Sequence, residues 1–160
     1  MKTLIVYYSY DGSSALIAGL LKEFLGAETL ELKTVDEKRR RGISLIFWGG
    51  FQAVKGKKAA LKPYSVKPED YDLIILGSPV WAGAPAPALN TFIAETDFSN
   101  KKLALYCTHG GGMRKFFDTL KSRIKNGVIA GEVDFQDVKK TPPEVLRQNV
   151  KDWAERISAG

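Results

Sequence analysis

One cysteine and one histidine are all that 160 residues supply of the side chains that build disulfides and most metal sites. Cys107 has no second thiol to pair with, which excludes an internal disulfide and fits a reducing compartment. No zinc-type spacing, internal repeat or nucleic-acid-binding motif is present. Long hydrophobic runs are missing as well. The apolar stretch from Thr3 to Ser9 is interrupted by Asp11, Gly12, Ser13 and Ser14, with no small-residue cleavage pattern after it. Ile43 to Val54 is broken by Gly49, Gly50 and Gln52 and is too short to span a bilayer. These absences point to a cytoplasmic protein without a membrane span.

Acidic residues are outnumbered, 18 against 24 basic, for a formal charge of +6. A basic balance can favour acidic partners, nucleic acid or anionic lipid, and it also suits an ordinary soluble enzyme. With no motif to tip the balance, no nucleic-acid partner is expected. Hydrophobic residues make up 44% and charged residues 26%, which separates the chain from disordered sequences. Its length suits one well-buried core, so residues 1–160 read as a single domain.

Leu4-Ile5-Val6-Tyr7-Tyr8 is a continuous β-prone run, as expected of a parallel strand buried on both faces. Leu16, Ile17, Leu20, Leu21, Phe24 and Leu25 then follow helical spacing up to Gly26, which closes the helix. Thr29 to Lys33 reads as a short strand. The alternation resumes at Leu73 to Leu76, a strand ending at Gly77-Ser78-Pro79. It continues with a helix over Pro85 to Thr96 and a strand from Leu103 to Cys107. Phe116, Phe117, Leu120 and Ile124 stripe a further helix, and Val128 to Phe135 is the last strand. Thr141-Pro142-Pro143-Glu144 has capping-box form ahead of a helix striped by Leu146, Val150, Trp153 and Ile157. Five strands alternating with helices imply right-handed crossovers and a parallel sheet covered on both faces, an α/β fold.

Residues 36–71 break the pattern, being too long for an ordinary connection. Ile43, Phe47, Phe51 and Val54 have helical spacing, flanked by Lys38-Arg39-Arg40-Arg41 and by Lys55, Lys57 and Lys58. The segment reads as a crossover helix plus an extended basic arm at about 36–70. Trp48 lies off the apolar stripe and is expected to be partly exposed, near the ligand edge or in a homodimer contact.

In open parallel sheets, ligands sit outside the carboxyl ends of the strands, where strand order reverses. Three strand exits carry unusual chemistry. In the first, Ser9-Tyr10-Asp11-Gly12-Ser13-Ser14 leads straight into a helix, so backbone N–H groups and hydroxyls can close around an anion. Ser13 or Asp11 could instead merely cap that helix. In the second, Trp81 stands within Ser78-Pro79-Val80-Trp81-Ala82-Gly83 and suits a planar aromatic ligand, or else a packed domain edge. The third, Thr108-His109-Gly110-Gly111-Gly112, lets backbone approach a ligand closely. His109 could cap the next helix, donate to a ligand carbonyl, or face water. Cys107 reads as buried filler rather than a redox thiol. A phosphate-binding P-loop is excluded for lack of Gly-x-x-x-x-Gly-Lys-Ser/Thr. A dinucleotide fingerprint from Gly110 fails at Lys115, where glycine would be required.

These residues resemble the flavodoxin superfamily over nearly the whole chain. Ile5-Val6-Tyr7-Tyr8-Ser9-x-x-Gly12-x-Ser14 is similar to its phosphate loop, and Tyr71 to Trp81 to the strand and loop holding one side of its flavin ring. The resemblance implies a flavodoxin-like three-layer sandwich with strand order 2-1-3-4-5, and FMN (flavin mononucleotide) as cofactor. It puts the phosphate on Ser9, Tyr10, Asp11, Gly12, Ser13 and Ser14. The ring would lie against Pro79, Val80, Trp81, Ala82 and Gly83, and against Thr108, His109, Gly110, Gly111 and Gly112. The uninterrupted last strand looks like a short-chain member. The chain departs from electron-carrier flavodoxins in its basic charge, in Asp11 where threonines are usual, and in the 36–70 arm. Ser78-Pro79-x-x-x-Gly83 looks more like the flavin loop of NAD(P)H:quinone reductases. Three functions follow: an electron carrier serving redox partner proteins, an NAD(P)H-dependent reductase of quinones or similar acceptors, and a non-redox binding protein on the same fold. The carrier needs no side-chain acid, base or nucleophile, in agreement with the absence of a catalytic cluster, whereas in the reductase His109 or Tyr10 could orient a substrate; no metal is expected.

Overall fold

Leu4-Ile5-Val6, Leu73-Ile74-Ile75-Leu76 and Leu103-Ala104-Leu105 are apolar at every position and fully buried, because helices cover both faces of the sheet they form. The computed structural model describes residues 1–36 and 55–159. Its elements run β1 (Thr3–Tyr7), α1 (Ser13–Leu25), β2 (Glu28–Glu31), β3 (Leu73–Trp81), β4 (Ala84–Pro85), α2 (Pro87–Glu95), β5 (Lys102–His109), α3 (Phe116–Arg123), β6 (Val128–Gln136) and α4 (Pro143–Ala159). Five strands pair in parallel in the order β2-β1-β3-β5-β6. This is the 2-1-3-4-5 order implied by the resemblance, once β4 is set aside.

Side chains alternate across the sheet with the period of two that a pleated strand imposes. Leu4, Val6, Ile74, Leu76, Leu103 and Leu105 share one core with Leu89 and Phe92 of α2 and Phe116 and Leu120 of α3. Ile5, Leu73, Ile75, Ala104 and Tyr106 face the other core, with Ile17 and Leu21 of α1 and Val150 and Trp153 of α4. The result is a three-layer sandwich. As the sequence implied, α1 ends at Gly26, whose φ of 60° makes the left-handed cap and whose N–H reaches the Lys22 carbonyl.

A sixth strand is the main difference from the sequence reading. β3 does not stop at Pro79 but continues to Trp81 and folds back on β4, pairing Val80 with Pro85 and Trp81 with Ala84. The two turn residues, Ala82 and Gly83, have φ of 52° and 80°. Positive φ at both centres is the hairpin geometry that matches strand twist, and it strains Ala82 by roughly 1 kcal/mol. At the last helix, the Thr141 hydroxyl donates to the Asp137 carbonyl at 3.3 Å, and α4 starts two residues later at Pro143.

The described part of the arm is extended and packed. Thr34 bridges Leu61, while Val35 and Lys62 bond Ala60 and Lys33 through the backbone. The Thr91 hydroxyl of α2 bonds both the N–H and the carbonyl of Ala59. Leu61, Tyr64 and Val66 pack onto the α2–α3 core. The stripe at Ile43, Phe47, Phe51 and Val54, the basic run 38–41 and Trp48 lie outside the described residues.

Among the described glycines, Gly77 has the least room. A Cβ there would sit 2.0 Å from the ring of Tyr106, the fully buried tyrosine that crosses over β3. Gly77→Ala is expected to lower stability by about 3 kcal/mol, as overpacking of a dense core does. Urea unfolding would measure it, and a loss below about 0.5 kcal/mol would show that Tyr106 moves freely.

Candidate functional site

The carboxyl ends of β1, β3 and β5 lie side by side, so the three unusual loops meet at one edge of the sheet. Each touches the next. Gly12, with φ of 93°, turns the first loop into α1. Within that loop, the Ser9 hydroxyl accepts the Ala15 N–H at 3.2 Å. Asp11 lies against the helix start and accepts the Ser13 N–H at 2.9 Å and the Ser13 hydroxyl at 3.1 Å. The cap position itself is held by Gly12 with no side-chain cap bond, so Asp11 braces the turn before the helix and is not its N-cap. Ser14 points inward, its hydroxyl bonded to Thr108 at 2.8 Å, which ties the first loop to the third. Its carbonyl accepts the Tyr106 hydroxyl at 2.9 Å.

Tyr10, 42% exposed, meets Trp81 edge to face at 6.0 Å and joins the first loop to the second. The buried Tyr8 holds Trp81 from another side at 5.7 Å, also edge to face. Trp81 is half-buried, fixed by two tyrosines. Beneath it, Ser78 is fully buried; its hydroxyl accepts the Ala86 N–H and donates to the Pro79 carbonyl, both at 2.9 Å, bracing the hairpin. At the tip, a Cβ on Gly83 would come 3.3 Å from the Arg114 side chain, so the second loop abuts the segment after the third.

In the third loop His109 is fully engaged by its own chain. Its Nδ1 accepts the Gly112 N–H at 2.9 Å, and its Nε2 lies 2.9 Å from Asp134 on β6. An Nδ1 that accepts a backbone N–H carries no proton, so the proton is on Nε2 and donates to the carboxylate. With its side chain only 5% exposed, His109 neither faces water nor points a free nitrogen outward. It closes the Gly110-Gly111-Gly112 loop onto β6. Cys107 is buried, and burial, reinforced by Asp134 and Glu132, pushes its thiol far above the ordinary range, which suits filler and not a redox thiol.

A fourth loop, at the exit of β6, was not signalled by local sequence. Asp137 has φ of 49° and bonds the His109 carbonyl through its N–H at 2.8 Å. This turn brings the Lys139 ammonium to 3.5 Å from Asp11. The first loop contains no lysine or arginine, so its cation comes from the far end of the chain. Only the strand order could have foretold it, since β6 ends at the same edge. Burial alone would raise the Asp11 carboxyl, but the Ser13 N–H and hydroxyl and Lys139 outweigh it and hold its pKa below the usual value. Among the described residues, no cluster of three or more His, Cys, Asp or Glu is placed to hold a metal.

The flavodoxin family model matches residues 2–157, and the chain belongs to that family. Solved structures agree on the fold. A Bacteroides uniformis protein superposes with a TM-score of 0.79 at 22% identity, over 96% of this chain and 97% of that one. A Lactobacillus acidophilus flavoprotein, solved in complex with FMN, has a TM-score of 0.73 at 24% identity, over 83% and 92%. The two-electron reduced flavodoxin of Megasphaera elsdenii has a TM-score of 0.61 at 16% identity, over 99% of each chain. No curated protein matches in sequence.

If His109 holds the glycine loop as described, His109→Leu should accelerate hydrogen exchange at the Gly112 amide about tenfold or more, while the amides of β5 keep their protection. Unchanged exchange at Gly112 would show that the loop keeps its shape without the imidazole.

Proposed function

We propose that this protein binds FMN at the three-loop edge and passes electrons between protein partners. The observation that carries the reading is that direct contacts, Ser14 to Thr108 and Tyr10 to Trp81, join the first loop to the third and the second, with Gly83 close beside Arg114, into one surface at the sheet's carboxyl edge. The donors there fit a phosphate. A carboxylate, that of Asp11, already draws the Ser13 N–H, the Ser13 hydroxyl and Lys139 onto one anion at the positive end of α1. The half-buried Trp81 suits the flavin ring. The Lactobacillus acidophilus structure, with FMN present, supports this cofactor.

Bound FMN supplies the electron transfer; the protein orients it and sets its surroundings. Ser9, Gly12 and Ser13 would receive the phosphate, and Trp81 and the Gly110 to Gly112 backbone would border the ring. A carrier needs no acid or base from the protein, which agrees with His109 having both nitrogens committed and Cys107 being sealed in the core. The carrier is favoured over the reductase for that reason.

The purified protein should take up FMN, turn yellow, and prefer FMN to riboflavin by about ten- to a hundredfold, the worth of charge-assisted bonds to phosphate. Equal affinities would overturn the phosphate assignment. Anaerobically, neither NADH nor NADPH should bleach the flavin within seconds; rapid bleaching by either would make the protein a reductase.

Trp81→Ala should weaken FMN binding about tenfold while the far-ultraviolet circular dichroism stays unchanged, since a stacked aromatic contributes roughly 0.5–1.5 kcal/mol beyond its buried area. Unfolding of the variant with unaltered affinity in the folded fraction would make Trp81 a core residue only.

A further inference from the structure

Asp11 is anomalous for a site that receives an anion. Its carboxylate lies on the donors that a phosphate at the start of α1 would need, taking the Ser13 N–H at 2.9 Å and the Ser13 hydroxyl at 3.1 Å. It also holds the Lys139 ammonium at 3.5 Å. A dianionic phosphate and this carboxylate cannot share those donors without repelling each other across a few ångströms. With 52% of its side chain exposed, Asp11 has room to swing away into solvent.

We infer that Asp11 is an internal competitor for the phosphate seat and that Lys139 is its counter-charge, so the pair sets how tightly, and with what selectivity for a phosphorylated flavin, the site closes. This rests on the phosphate assignment above. In the ligand-free protein, Asp11 satisfies the Ser13 donors and stabilises the helix start. When phosphate arrives, the carboxylate leaves the Ser13 N–H and hydroxyl, and the Lys139 ammonium passes from carboxylate to phosphate. No bond is made or broken other than hydrogen bonds and ion pairs. Binding is therefore weaker by the work of displacing Asp11 and is stronger by the attraction of Lys139. The two residues act on affinity in opposite directions, although as neighbours in one ion pair they would be expected to act together.

Asp11→Ser tests this, because a serine hydroxyl still accepts the Ser13 N–H but carries no charge. Four titrations, FMN and riboflavin against wild type and variant, give the readout, together with the melting temperature of the ligand-free protein. The variant should bind FMN about five- to tenfold more tightly than wild type, with riboflavin affinity unchanged, and melt about 2–4 °C lower without ligand. Lys139→Gln should do the reverse, weakening FMN about threefold and leaving riboflavin untouched. Unchanged or weaker FMN binding by Asp11→Ser would overturn the inference, as would equal tightening of FMN and riboflavin. Should wild type itself bind the two flavins equally, the phosphate assignment would fall first, an outcome distinct from a wild-type preference for FMN that Asp11→Ser leaves unchanged.

Discussion

The Tyr106 hydroxyl donates to the Ser14 carbonyl inside the molecule, and the site depends on that bond. Tyr106 can reach α1 only because Gly77 leaves its ring space across β3. Beside it, Ser14 and Thr108 join their hydroxyls at 2.8 Å, also buried. Two side chains of β5 thus hold the first turn of α1 against the carboxyl edge of the sheet. Polar groups buried this way cost about 1–3 kcal/mol each if left without partners, so any slide of α1 along the sheet is opposed strongly. Burial pushes the Tyr106 phenol well above its ordinary pKa, so the donor stays protonated across the whole working range. A helix start held in this position is what the proposed phosphate seat requires of a common dipole.

From that anchor the other loops follow in order. Tyr10, carried on the first loop, braces Trp81; Ser78, below Trp81, braces the hairpin; the hairpin tip meets Arg114. His109 joins the glycine loop to β6, and Asp137 returns the chain to His109 through its N–H. Each contact is modest in strength, but together they leave few independent ways for the edge to open. The strained Ala82 is tolerated because both sides of its hairpin are fixed.

Much of this architecture was legible in the sequence, for physical reasons that differ by element. Buried parallel strands announce themselves, since Leu73 to Leu76 can have no polar position with helices on both faces. Gly26 as a helix stop and the stripe from Leu146 to Ile157 were equally plain, because local geometry decides them. The β3–β4 hairpin was hidden: Pro79 reads as a strand breaker, and nothing in Trp81-Ala82-Gly83-Ala84 announces a non-glycine residue at φ of 52°. His109 was ambiguous because its partners, Gly112 and Asp134, are fixed by the tertiary fold. Lys139 was missed because its meeting with Asp11 depends on where β6 ends. The strand order was enough to bring the three loops to one edge, but the individual side-chain partners that the sheet brings together could not be read from neighbouring sequence.

In the proposed complex the phosphate lies at the start of α1 and the flavin ring between the Trp81 hairpin and the glycine loop. Amide spectra of nitrogen-15-labelled protein, titrated with FMN and separately with riboflavin, test this placement most directly. FMN should shift the amides of Gly12, Ser13, Ser14 and Ala15 strongly. Both flavins should shift the Trp81 indole and Gly110 to Gly112. Shifts centred elsewhere, such as on the outer edge of β6, or an unmoved first turn of α1 with FMN bound, would contradict it.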